Sequence, residues 1–264
     1  MKTHKPLPLI PPLPHGTEIS LPREWFENND ERGIIARLII DKRYFGSCYR
    51  ELHPLFFENV SYKGLVVSML VDSHKVHPDL KRPGDIDILV IPYTKDSLVF
   101  SETMAIEAKI LRSAYANQNK SPNQFGFSQA EGLWNIGFPY VAVAHFIVSD
   151  RSPPHQWRRI LQGTAGENDT INDLKEVYVD DLPLILMERT LGRLSKSCKN
   201  PNFGLLSSYL GNIEDKSMFF PDGIGCNKNT LKNKSLMKGL IKYYSENYKH
   251  FLNIPKNPPD RPIT

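Results

Sequence analysis

Residues 85–110 read DIDILVIPYTKDSLVFSETMAIEAKI, and the fold turns on how the two ends of this stretch are taken. In the first run Asp85, Asp87 and Leu89 alternate with Ile86, Ile88 and Val90. In the second, Glu107 and Lys109 alternate with Ile106, Ala108 and Ile110. A period of two, with one apolar face, is the mark of a strand. If the two strands are neighbours, Asp87, Glu107 and Lys109 converge on one spot. Two carboxylates brought together repel unless a cation sits between them. Oxygen ligands select a hard ion such as Mg²⁺, which binds through one or two carboxylates and takes its remaining oxygens from water and phosphate.

Working outward, GLVVSMLV at 64–71 predicts a strand before this pair, and PYVAVAHFIVSD at 139–150 predicts one after it. Between the last two lies SPNQFGFSQAEGLWNIG at 121–137, read as a helix with Ser121 as N-cap, Pro122 in its first turn, Gln124 closing a capping box and Gly137 as its stop. Upstream, helical signals start at Ser20 and Pro22 and continue through Ile34, Ile35, Leu38 and Ile39, with a second helical stretch from Cys48 to Phe57. The order is helix, three strands, helix, strand, an α/β pattern.

On these residues a resemblance becomes specific. GDIDILV at 84–90, IEAKI at 106–110 and SQAEGL at 128–133 together resemble the PD-(D/E)xK nuclease superfamily, over roughly residues 30–150. The resemblance implies a restriction-endonuclease-like core, a mixed central sheet flanked by helices. It implies a metal-dependent deoxyribonuclease that hydrolyses phosphodiester bonds with Mg²⁺ or Mn²⁺. Asp87 and Glu107 would then be the metal-binding acids, with the Ala108 carbonyl completing the protein ligands. Lys109 would be the signature lysine, and Gln129 the glutamine that several branches place beside the site. An acid from the first helix is often added in such proteins, and Glu51 and Glu58 are the candidates. DNA is the implied partner, with a homodimer or a separately encoded protein as further company. The competing expectation is a module that keeps the fold and binds nucleic acid or protein without cutting.

The rest of the chain is divided as follows: a proline-rich arm over 1–19, the core over 20–152, a mostly helical accessory region over 153–254 and a proline-rich tail over 255–264. In the accessory region PPHQWRRILQG and PLILMERTLGRL read as helices, and residues 230–252 as a lysine-rich helix with Leu236, Leu240, Tyr243, Tyr244 and Tyr248 toward one side. A net charge of +4 and a pI near 8.8 suit a polyanionic partner. Three widely spaced cysteines exclude a disulfide framework, and no apolar run is long enough to span a bilayer, so a cytoplasmic location is expected. His74 and His77, with Cys48 and His53 upstream, lack regular zinc spacing and read as solvated loop histidines. His145, inside an apolar run, reads as a core histidine.

Overall fold

A computed structural model describes residues 9, 17–18, 20, 22–27, 30–77, 84–119, 125–167, 170–211 and 221–256. Most of the proline-rich arm, the tail beyond 256 and the proposed cap at Ser121, Pro122 and Gln124 lie outside them.

Four helices open the chain: α1 (Glu24–Glu27), α2 (Glu31–Ile40), α3 (Lys42–Leu52) and α4 (Pro54–Glu58). The cap of α2 is Asp30, whose carboxylate accepts from the Arg32 N–H; Asp41 caps α3 by accepting from Tyr44. Strand β1 (Tyr62–Asp72), short helix α5 (Ser73–Val76), β2 (Asp85–Thr94) and β3 (Met104–Arg112) follow. Next come α6 (Phe127–Asn135) and β4 (Tyr140–Val148). All four strands fall within the stretches that the sequence predicts. The sequence predicts α6 from residue 121, whereas the described helix begins at Phe127, after Gly126.

The second half departs from expectation. PPHQWRRILQG is not a helix: one 3₁₀ turn at Pro154–Gln156 leads into β5 (Arg158–Ala165), which pairs with β6 (Ile171–Val179) as an antiparallel hairpin. Ile160 and Leu161 lie side by side and no residue of β5 is buried, so the stretch carries no helical stripe to hold a helix on the core, and its pairing with β6 sets its conformation. Helix α7 (Leu182–Ser197) follows as predicted, then β7 (Gly204–Tyr209), β8 (Asp222–Ile224), α8 (Lys234–Asn247) and β9 (Leu252–Pro255).

The central sheet has the order β8-β7-β4-β3-β2-β1-β9. It is mixed: β3, β4 and β7 run parallel, and the other pairings are antiparallel. Strands β7, β8 and β9 come from the stretch read as a helical accessory region, so the expected boundary at 152 does not separate the sheet from a helical appendage. β7 lengthens the parallel ladder beside β4, and β9 covers the edge strand β1.

Helices cover both faces. On one, Ile35, Leu38, Phe45, Tyr49, Leu52 and Phe56 pack on Val67, Ile88, Ile106, Ala108, Ala142 and Ala144. On the other, Ala130, Leu133, Leu236, Leu240 and Tyr244 pack on Leu89, Ile91, Ala105, Val141 and Val143. The alanines at the sheet centre let the helices come close. Tyr243 and Tyr244, on the predicted apolar side of α8, are buried edge-on to Phe251. Gly239 is where α8 crosses α5: a Cβ there would fall 1.8 Å from the Val76 carbonyl oxygen. No helix among the described residues is long and apolar enough to cross a membrane.

Candidate active site

The site lies where the sheet opens. The β2–β3 ladder pairs Val90 with Met104, Leu89 with Ala105 and Ile88 with Ile106, and stops there. Asp87 and Glu107 are the next residues on each strand. With no ladder partner for the Ala108 N–H, the Asp87 carboxylate takes its place, accepting that hydrogen bond on Oδ2 at 2.7 Å. A buried backbone donor must be satisfied, and here a side chain does what the neighbouring strand no longer does. The parallel β3–β4 ladder continues past the split, setting Glu107 opposite Val143 and Lys109 opposite His145.

Asp87 and Glu107 are buried, at 7% and 1% exposure. Burial and the neighbouring Glu107 charge push Asp87 from 3.8 up to about 8. Glu107 is also raised by burial, against the pull of Lys109 and of a hydrogen bond with Asp87. At neutral pH and without a cation the pair therefore keeps a proton between its oxygens. Burial alone would make Lys109 give up its proton, but the Glu107 carboxylate outweighs it, and the net shift of Lys109 is upward. Lys109 Nζ lies 2.7 Å from Glu107 Oε1, yet off hydrogen-bond alignment, so this buried oxygen has an ionic neighbour but no aligned donor. Such an oxygen is a ready ligand for a hard cation.

Asp87, Glu107 and Lys109 are thus brought together as the alternation predicts. Neither Glu51 nor Glu58 joins them: Glu51 lies in the field of Asp222, and Glu58 is exposed at the end of α4. The acid that the first helices bring to the site is Glu31, in the first turn of α2, whose charge is felt by Asp87, Glu107 and Lys109 alike. Where the sequence predicts a continuous helical stretch from Pro22, Asp30 caps a new helix and fixes Glu31 at its start. Among the described residues no three His, Cys, Asp or Glu side chains lie close enough to hold one metal ion, so Glu31 acts from a distance and the donor set is the Asp87–Glu107 pair.

Gly126 is the other residue that the sequence reading missed. It caps α6 at φ 87°, in the left-handed region that favours glycine. A Cβ at this position would meet Glu107 Cγ at 2.8 Å. The glycine therefore seats the start of α6 directly on the buried glutamate. Gln129 stands three residues on, half-buried, its N–H donating to the Gly126 carbonyl at 3.1 Å, and its side chain makes no hydrogen bond among the described residues. Ala108 contributes the N–H that orients Asp87. His145 is buried, as a core histidine should be, with Nε2 3.1 Å from the Phe125 carbonyl oxygen and its ring stacked on Phe125. Burial, reinforced by Lys109, lowers it to about 4, so it is a neutral imidazole at neutral pH.

The zinc constellation does not assemble. His74 is exposed, but His77 is buried rather than solvated, with Nε2 3.3 Å from Asn233 Nδ2. The residues around it belong to α5 and α8, which the loop reading did not bring together. Cys48 packs near Ser208, His53 near Glu102, and all three cysteines are free.

Comparison with protein-family models, with curated proteins and with solved structures finds no match to this chain.

Proposed function

We propose that this chain is a metal-dependent nuclease of the PD-(D/E)xK type that hydrolyses phosphodiester bonds in DNA. One observation carries the reading: two buried carboxylates, both raised by burial, come together on neighbouring strands where the sheet opens, with a lysine ammonium 2.7 Å from one of them. A catalytic pair is the kind of place where burial and like charge shift titration this far.

Asp87 and Glu107 would hold Mg²⁺ or Mn²⁺, which when bound acidifies a coordinated water and neutralises charge on the phosphate. The Ala108 N–H fixes the Asp87 carboxylate, and Gly126 leaves room for Glu107. Because Glu107 holds Lys109 in its charged form, the lysine's role is electrostatic, countering negative charge as it grows on the phosphate, rather than that of a base. Glu31 adds negative potential that favours a divalent cation. The surplus of positive charge over the chain, +4, suits a polyanion.

The second reading, a module that binds nucleic acid without cutting it, draws on the small donor set of two carboxylates. Incubation of supercoiled and linear DNA with Mg²⁺, Mn²⁺ or EDTA separates the two. The proposal expects metal-dependent cutting that Glu107→Ala and Lys109→Ala both abolish. Binding without cutting by the folded, metal-loaded wild type would favour the second reading.

A further inference from the structure

Two surfaces away from the carboxylate site lack partners, and they complement each other. The first is the β5–β6 hairpin. Its root is built: Asp180 accepts from the N–H of Ser152 at 3.0 Å, from its hydroxyl, and from the N–H of Leu182 at 3.1 Å, and Arg158 pairs with Asp181 at 2.7 Å. The blade is bare. Its two strands pair with each other, and no other described element packs on them to a comparable extent. Leu161, Ile171, Leu174 and Tyr178 are 58–70% exposed. A lone two-stranded hairpin is marginal in water, so an apolar blade without a second layer calls for a covering surface. A Cβ at Gly163 would meet Ile171 Cγ2 at 2.5 Å and Leu174 Cδ2 at 3.2 Å, so these side chains gather over the glycine in the outer half of the blade. The described residues of that half carry Glu167 and Asp173, both exposed, and no lysine or arginine. The hairpin's arginines sit at the root, paired with Asp181 and Glu176.

The second surface is a groove of about 730 Å³ formed by the loop before α8 and the outer side of that helix. Its floor is aliphatic, from Pro139, Leu231, Met237 and Ile241, and contains no aromatic ring on which a base would stack. Lys232, Lys234 and Lys238 stand on its rim, exposed and with no carboxylate partner among the described residues. Along α8, Met237 and Ile241 form one i, i+4 pair and Lys234 and Lys238 another, so an apolar row runs beside a cationic row.

We infer that the acidic outer half of the hairpin docks into the lysine-rimmed groove of a second copy of this chain. Within one copy the two are kept apart: the groove lies before β4 and the hairpin leaves after it, about 30 Å of strand further on. Two hairpins meeting tip to tip would set like charges against each other, whereas blade and groove match acid with lysine and aliphatic with aliphatic. The contact uses different surfaces on the two copies, so it propagates head to tail into a ring or a chain. It stands independently of the chemistry at Asp87 and Glu107.

Sedimentation velocity of the full chain from about 1 to about 200 μM tests this. The wild type associates with rising concentration, and less so in about 0.5 M salt. The groove variant Lys234→Glu/Lys238→Glu and the hairpin variant Glu167→Lys/Asp173→Lys each weaken association at least about tenfold. Leu161→Ser/Leu174→Ser does the same without changing charge. Mixing the two charge-reversed variants restores association, because each then offers the other a matching surface. A wild type that stays monomeric, or association that survives in the groove variant, overturns the inference; the groove substitutions are at exposed positions and leave the fold intact.

Discussion

Asp87→Asn isolates the electrostatics of the site. Asparagine keeps an oxygen to accept the Ala108 N–H and is close in shape to aspartate, so the substitution removes charge and little else. A carboxyl raised from 3.8 to about 8 binds its proton more tightly folded than unfolded. Its stabilising effect is therefore complete below the unfolded value and is lost as pH rises through the folded one. A shift of about 4 units at about 1.4 kcal/mol each sets a ceiling near 6 kcal/mol. Sharing the proton with Glu107 reduces it, and roughly 2–5 kcal/mol is the expected range. At pH 4, close to the unfolded value, the variant and wild type should have nearly equal stability. At pH 8.5, in EDTA, the variant should be the more stable by that amount, or by roughly 4–9 °C in thermal midpoint. Urea unfolding at the two pH values reads this directly. Saturating Mg²⁺ should reverse the order, because only the wild type gains from binding. A variant less stable than wild type at pH 8.5 without metal, or a difference that does not change with pH, would refute the reasoning.

Three further outcomes follow from the same geometry. Gly126→Ala places a Cβ 2.8 Å from Glu107 Cγ on a backbone at φ 87°, and should cost about 1–3 kcal/mol in denaturant unfolding while lowering metal affinity. His145, lowered from 6.5 to about 4, is neutral in the fold, and its contribution is complete above pH 6.5 and lost as pH falls through 4. Between pH 7 and pH 4 the wild type should lose up to roughly 3 kcal/mol more than His145→Gln, which keeps a donor for the Phe125 carbonyl without titrating. Glu31→Gln should weaken Mn²⁺ binding only several-fold, as expected for a charge acting at a distance, where Glu107→Gln abolishes it.

Much of the central sheet was legible because β2 and β3 alternate around their charged residues, β1 and β4 are apolar, β-branched runs of strand length, and the apolar partners of Asp87 and Glu107 left each carboxylate one face to occupy. Alternation does not show where a ladder ends. The split below Ile88 and Ile106, which turns the Asp87 side chain toward the Ala108 N–H, is a property of the paired strands and of neither alone. Gly126 was visible as a letter between two phenylalanines, but its value lies in the approach of α6 to Glu107, which only the packing fixes. Glu31 was hidden because Ile34 to Ile39 fit a helix from Pro22 onward, and the restart at Asp30 depends on one capping bond. The C-terminal strands were missed for a similar reason. β7 is buried on both faces, β8 and β9 are 3 and 4 residues long, and such short or unpatterned strands leave no periodic trace.

The most direct test of the carboxylate pair is calorimetric titration of Mn²⁺ into the wild type at pH 7 in two buffers of different ionisation enthalpy. If Asp87 and Glu107 share a proton that the cation displaces, binding should release between about half and one proton per ion, with both binding and release lost in Asp87→Asn and Glu107→Gln. Binding without proton release, or binding that survives in both variants, would show that the cation sits elsewhere and contradict the account.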